Sequence, residues 1–159
     1  VTGTFVHVIR HAEAGDRERW AGPDELRPLS DGGHHQAARL VQLYTDRPLR
    51  QLVSSPFLRC VQTLEPLAEA RGLPIALREE LAEGMPWGHL EKLVLEAEGE
   101  GSTAVCVHGD AFRALVSDLW ERGIARRVNR SFRKGATWVL EVRDGTVVSA
   151  RYEPAPPAS

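Results

Sequence analysis

Cysteine is scarce in this chain: of 159 residues only Cys60 and Cys106 are cysteine. Two thiols cannot build the multi-bridge framework of a small secreted domain. Neither belongs to a CxxC pair or to a Cys/His spacing of the kind that holds zinc, so no metal site is expected. Both lie in apolar-periodic segments and read as reduced core thiols of a cytoplasmic protein. Long apolar runs are missing too, and none nears the ~18 residues of a membrane span. Val1-Thr2-Gly3-Thr4 shows no basic region leading into an apolar stretch, so no signal peptide is read there. Positive charge is not in excess. The formal net charge is -2, which gives no sign of nucleic acid as a bulk partner.

What is present is ordinary for one globular domain with a sizeable core: 42% apolar and 26% charged residues. No internal repeat or long linker divides the chain. The expected domain covers residues 1–153. The tail Pro154-Ala155-Pro156-Pro157-Ala158-Ser159 is expected to be disordered or extended.

Strand-like and helix-like segments alternate. Thr4 to Ile9 is a β-branched run, hence a strand. Ser30 to about Tyr44 reads as a helix, with Ser30 as N-cap and Ala37, Leu40, Val41 and Tyr44 at helical spacing. Gln51 to Ser54 is a second strand. Pro56 suits the first turn of a helix that runs to about Arg71, with Val61, Leu64 and Ala68 on its apolar stripe. Pro66 should kink or shorten that helix. Pro74 to Leu77 is a candidate third strand. Pro86 opens a helix carrying Leu90, Leu93, Val94 and Ala97, and Thr103 to Val107 is a buried strand. A helix from about Ala111 to Glu121 follows. Thr137 to Val142 and Val147 to Tyr152 form a hairpin about Asp144-Gly145. This order predicts an α/β layered domain with a largely parallel sheet and an antiparallel C-terminal edge.

Ligands of such sheets bind beyond the carboxyl ends of the strands. Three places qualify: Arg10-His11, Ser54-Ser55-Pro56 with Arg59, and His108-Gly109. Two arginines and two histidines there suit a phosphoryl group. A guanidinium offers a planar fork of donors and keeps its charge. Arg59, in the first turn of its helix, should lean back over the strand end. Helix N-termini near Pro56 and Ala111 add backbone donors, and Gly109 allows close backbone approach. A neutral imidazole can attack phosphorus. One histidine of the pair could do so while the other donates to the equatorial oxygens. No metal or other cofactor is required.

These residues resemble the motifs of the histidine phosphatase (phosphoglycerate mutase-like) superfamily. Val8-Ile9-Arg10-His11-Ala12-Glu13 looks like its first motif, with Ala12 where glycine is commoner. Leu29-Ser30-Asp31-Gly32-Gly33-His34-His35-Gln36-Ala37 resembles LTxxGxxQA, and Ser54 to Thr63 resembles SSPxxRxxQT. Val105-Cys106-Val107-His108-Gly109-Asp110 resembles the second histidine motif. The resemblance implies a three-layer α/β/α sandwich. It makes His11 the phosphorylated nucleophile, with Arg10 and Arg59 on the phosphoryl oxygens and His108 stabilising the transferring group. A family glutamate that donates a proton has three candidates here, Glu79, Glu80 and Glu83. Leu81-Ala82-Glu83-Gly84 favours Glu83. Some small phosphohistidine phosphatases of the family lack that acid.

The chain resembles the short phosphohistidine phosphatases, and similar domains fused to Nudix hydrolases, more than the longer mutases. Arg27-Pro28-Leu29-Ser30 and Lys134-Gly135-Ala136-Thr137-Trp138-Val139-Leu140 fit that branch. Metal-independent hydrolysis of a phosphomonoester or phosphohistidine is therefore expected. The partner would be a phosphorylated small molecule or phosphoprotein, not nucleic acid or membrane. The alternatives are mutase-like phosphoryl transfer, a nucleotide-processing phosphatase in which Trp20 or Trp87 could stack, and a non-catalytic phosphate-binding module. The loop Ala14 to Pro28 is a candidate pocket wall. The basic stretch Arg122 to Lys134 is a candidate for drawing acidic substrates. His7 reads as packed in the first strand, and His34 and His35 as structural or solvent-exposed.

Overall fold

A strand whose two faces are both apolar belongs inside a sheet. The first strand has this character, with Val6 and Val8 on one face and Ile9 on the other. A computed structural model describes residues 3–126 and 132–159. In chain order it contains β1 (Thr4–Arg10), α1 (Asp31–Leu43), β2 (Leu49–Ser54), α2 (Leu58–Arg71), β3 (Ile75–Leu77) and α3 (Gly88–Leu95). Then follow β4 (Gly101–Val107), α4 (Gly109–Glu121), β5 (Thr137–Arg143) and β6 (Thr146–Glu153). Short 3-10 turns occupy Asp24–Leu26 and Glu79–Leu81. The sheet order is β3-β2-β4-β1-β5-β6. The pairings among β3, β2, β4 and β1 are parallel, whereas β5 and β6 are antiparallel additions.

Two cores cover the two faces. Val6, Val8, Val53, Val105 and Val107 pack with Leu90 and Val94 of α3 and with Phe112, Leu115 and Leu119 of α4. Ile9, Leu52, Ala104 and Cys106 pack with Leu40 and Tyr44 beside α1 and with Cys60, Leu64 and Leu67 of α2. The fold is thus an α/β/α sandwich. Burying each such aliphatic or aromatic side chain is worth about 1.5–3 kcal/mol, whereas an exposed ion pair gives about 0–1 kcal/mol. The cores, not the charges, hold this fold together. Cys60 and Cys106 are both free and buried within the second core.

This layering fixes where a site can form. The chain leaves β1 toward α1 on one face and leaves the adjacent β4 toward α4 on the other. A crevice opens where neighbouring parallel strands send their connections to opposite faces. Arg10-His11 and His108-Gly109 sit at that point.

Local signals behave mostly as expected. The Ser30 hydroxyl accepts the Gly33 N–H at 3.1 Å and caps α1. Asp144 and Gly145 both adopt positive φ, 51° and 70°, as a two-residue hairpin turn of this hand requires. Two prolines depart from expectation. Pro56 does not lie in the first turn of α2, because Phe57 is the N-cap and the helix starts at Leu58. The Phe57 N–H is held by the Ser55 hydroxyl at 3.3 Å, which makes a turn of the segment ahead of the helix. Pro66 lies inside α2 without shortening it, and the helix ends at Gly72 with φ 64°. Residues 154–159 carry no helix or strand. Their Pro156 carbonyl accepts from Gln36 Nε2 at 3.1 Å and their Pro157 carbonyl from Arg39, so the segment lies against α1. Among the described residues no helix is long and apolar enough to cross a membrane.

Candidate active site

His11 follows β1 directly and is 4% exposed. Its Nδ1 lies 2.7 Å from the Ala12 carbonyl oxygen. A carbonyl can only accept, so Nδ1 carries the proton and Nε2 keeps the lone pair. Burial is the main force lowering its pKa, to about 3. His108, Arg59 and Arg10 push the same way, and the Ala12 hydrogen bond opposes them. The imidazole is therefore neutral at pH 7, the form that can attack phosphorus.

His108 is the N-cap residue of α4, and its ring centroid is 5.5 Å from that of His11. Ser55 Oγ lies 2.8 Å from His108 Nε2. Since that hydroxyl also accepts the Phe57 N–H, its own proton is free to go to Nε2. An imidazole that accepts there carries its proton on Nδ1. That nitrogen is buried, has no hydrogen-bond partner, and lies 3.9 Å from Glu83 Oε1.

The two arginines are anchored from outside the sequence motifs. Arg59 is fully buried in the first turn of α2. Its two terminal nitrogens reach the Asp24 carbonyl at 2.9 Å and Asp24 Oδ2 at 3.0 Å, the second also facing Glu83 Oε2 at 3.4 Å. Its Nε is buried and unpartnered. Arg10 donates from Nη1 to the Phe132 carbonyl, and its Nε is likewise buried and unpartnered. A Cβ on Gly109 would stand 2.7 Å from Arg10 Nη2. Gly109 thus makes room for the arginine as well as opening α4, whose N-cap His108 makes no side-chain cap.

A buried donor with no partner normally calls for an explanation. Here Arg10 Nε, Arg59 Nε and His108 Nδ1 share one, because all three belong to residues assembled around His11. Donors on three residues grouped about His11 suit the charge on the oxygens of a transferring phosphoryl group.

Of the three candidate glutamates, only Glu83 reaches this place. Arg17 Nη2 holds its two oxygens at 3.0 and 3.2 Å. Glu80 instead approaches Arg78 at 4.0 Å beside a different cavity, and Glu79 is exposed. The cavity over His11 has a volume of about 580 Å³. The loop after His11 contributes Arg17 and Arg27 to its wall, as expected of that loop. Trp20 does not line it; its indole N–H bonds the Pro23 carbonyl within the loop at 2.8 Å. Trp87 packs against the core instead. From the basic stretch, Lys134 lines the cavity, whereas Arg122 pairs with Asp118 at 3.2 Å. Arg127 and Arg130 fall outside the described residues. His7 is buried against Ser102 Oγ at 3.1 Å, and His34 and His35 are exposed.

Sequence reasoning missed Asp24, which binds Arg59 and also accepts Arg27 Nε at 3.0 Å. It also missed the role of Ser55 in orienting His108. Asp24 lies in a loop of mixed charge without periodicity and is followed directly by Glu25, so no local signal marks it.

A family model described as the histidine phosphatase superfamily (branch 1) matches residues 6–98. The chain belongs to that superfamily. A curated relative of this histidine phosphatase domain is an 8-oxo-(d)GTP phosphatase of Mycolicibacterium smegmatis, 36% identical over 151 residues. The alignment covers 92% of this chain and 47% of the relative, so the chain spans about half that protein's length. In fold the domain is similar to the protein histidine phosphatase SixA complexed with tungstate, with TM-score 0.72, 22% identity and 97% of each chain covered. It is also similar to a phosphoglycerate mutase from Plasmodium falciparum, with TM-score 0.60, 14% identity, and 97% and 91% of the two chains covered. The histidine phosphatase domain described here therefore has the phosphoglycerate mutase-like fold.

Proposed function

We propose that this chain is a metal-independent phosphatase working through a phosphohistidine at His11. The observation that supports this most is the placement of three unpartnered buried donors, Arg10 Nε, Arg59 Nε and His108 Nδ1, around a neutral imidazole. In the first step His11 Nε2 forms a bond to phosphorus while the bond to the leaving oxygen breaks. The leaving oxygen takes a proton from Glu83. In the second step water attacks the phosphohistidine, the P–N bond breaks, and Glu83 takes the proton from that water. Fixed donors aimed at the developing charge are worth about 10²–10³-fold each in comparable sites.

The substrate is a phosphomonoester or a phosphohistidine, free or in a protein, and the setting is cytoplasmic. A second reading, a nucleotide-processing phosphatase, is favoured by the 36% identity to the 8-oxo-(d)GTP phosphatase. Hydrolysis of 4-nitrophenyl phosphate by the wild type and by His11→Ala tests the common chemistry. The variant should lose turnover while keeping its fold; equal rates in both would end the proposal. A panel of phosphohistidine, simple phosphomonoesters and nucleotides then separates the two substrate readings by kcat/KM.

A further inference from the structure

The cations around the cavity differ in how they are held. Arg17 pairs with Glu83 at 3.0 Å and Arg27 with Asp24 at 3.0 Å, and Arg10 donates to the Phe132 carbonyl. Arg113 and Lys134 line the same cavity, yet among the described residues their side chains make no hydrogen bond or ion pair. Unpaired cations at the mouth of an anion-binding cavity are free to meet a second anion.

Both residues are placed there by the fold. Arg113 is four residues after Gly109 on α4, so the two share a helix face. Helical side chains lean toward the N-terminus, which carries Arg113 over the first turn of α4 and toward the cavity. Lys134 precedes Gly135, whose N–H is shared by the carbonyls of Arg10 and His11, each at 3.0 Å. That bond ties the Lys134 segment to the backbone of His11 itself. Arg113 acts electrostatically on Arg10, and Arg10 acts on Lys134. Partial burial and the nearby Arg10, Arg27 and Arg17 lower the Lys134 pKa, with Glu13 opposing. A volume of about 580 Å³ also exceeds what one phosphoryl group needs.

We propose that Arg113 and Lys134 form a second anion subsite, which favours phosphate esters and anhydrides whose leaving group carries its own negative charge. This rests on the phosphatase reading above and narrows its substrate class. In a nucleoside diphosphate the terminal phosphoryl would go to His11 and the inner phosphate to Arg113 and Lys134. A carboxylate near the scissile bond offers the same oxyanion chemistry.

The test compares kcat/KM for three substrates: 4-nitrophenyl phosphate, whose leaving group has no second anion, 3-phosphoglycerate and a nucleoside diphosphate. The double variant Arg113→Gln/Lys134→Gln should lower the ratio of a charged to the neutral substrate at least about tenfold. Loss confined to the diphosphate identifies a phosphate as the second anion, and loss confined to 3-phosphoglycerate identifies a carboxylate. An unchanged ratio for both overturns the subsite. Calorimetric binding of inorganic pyrophosphate against orthophosphate gives a readout without turnover. The wild type should prefer pyrophosphate, and the double variant should lose that preference; equal preference in both proteins overturns the proposal. Failure of the phosphatase reading is separate, since it shows as absent turnover of 4-nitrophenyl phosphate by the wild type.

Discussion

Ser55 Oγ lies 2.8 Å from His108 Nε2, in a fully buried contact between the end of β2 and the start of α4. The bond fixes which face of the imidazole turns toward the site. Ser55→Ala removes it and leaves the buried ring nitrogen only the weaker contact with the Cys60 Sγ at 3.5 Å. A buried hydrogen bond is worth about 1 kcal/mol net and more when its partner stays orphaned. Since 1.4 kcal/mol is tenfold in rate, kcat/KM on an aryl phosphate should fall about tenfold or more. Steady-state kinetics beside a thermal melt check this. An unchanged rate would remove Ser55 from the account.

Glu83→Gln separates proton donation from phosphate binding. An alkoxide leaving group needs a proton, whereas a nitrophenolate does not. Turnover of an alkyl phosphate should therefore drop much further than turnover of 4-nitrophenyl phosphate, by a factor of about 10²–10⁴ if Glu83 is the donor. Unchanged turnover on alkyl phosphates would rule that role out. Equal loss on both substrates would mean that Glu83 only positions Arg17 and Arg59.

Gly109→Ala places a methyl group 2.7 Å from Arg10 Nη2. The obstacle is the far end of a flexible side chain, so the guanidinium shifts and the backbone stays. Folding should survive and phosphate affinity should fall. Competitive inhibition by inorganic phosphate measures it, with an expected rise in Ki of about tenfold, the size of one lost charge-assisted hydrogen bond. An unaltered Ki with lowered turnover would contradict the role given to Arg10.

Much of this was legible in the sequence because it rests on period and punctuation. Val6, Val8 and Ile9 mark a two-sided strand, and the strand end then places His11. Arg59 follows from its position in a helical first turn. What could not be read is whatever depends on loops closing over the strand ends. Asp24 reaches Arg59 across 35 residues of sequence, and Arg17 reaches Glu83 across 66. No local pattern encodes such a pairing. Pro56 was misplaced for a related reason, since proline is also favoured just ahead of a helix and a serine hydroxyl decided the boundary. Of the three glutamates after β3, the resemblance of Leu81-Ala82-Glu83-Gly84 favours Glu83, and the fold adds its contacts with Arg17 and Arg59.

Two buried imidazoles set an acid limit on stability. His7 is lowered to about 4, first by burial and next by Arg47, and His11 to about 3. Unfolded, both would take up a proton near 6.5. Between 6.5 and the native values the unfolded chain thus binds more protons. Stability is full above about pH 6.5 and declines as pH falls toward 4 and then 3. Urea unfolding at pH 7.5 and pH 5 should show this loss, in a window above the range where unfolded carboxylates titrate. His7→Gln should shrink the difference between the two conditions. Equal stability at both pH values in the wild type would contradict the neutral buried state of these histidines.

The most direct test is to trap the covalent intermediate. The wild type, mixed with a ³²P-labelled phosphomonoester and quenched, should carry label that is lost in acid and kept in alkali, as a P–N bond dictates. Peptide mapping should locate it at His11, and His11→Ala should carry none. An unlabelled wild type that still turns over, or a His11→Ala variant hydrolysing at the wild-type rate, would contradict the central claim.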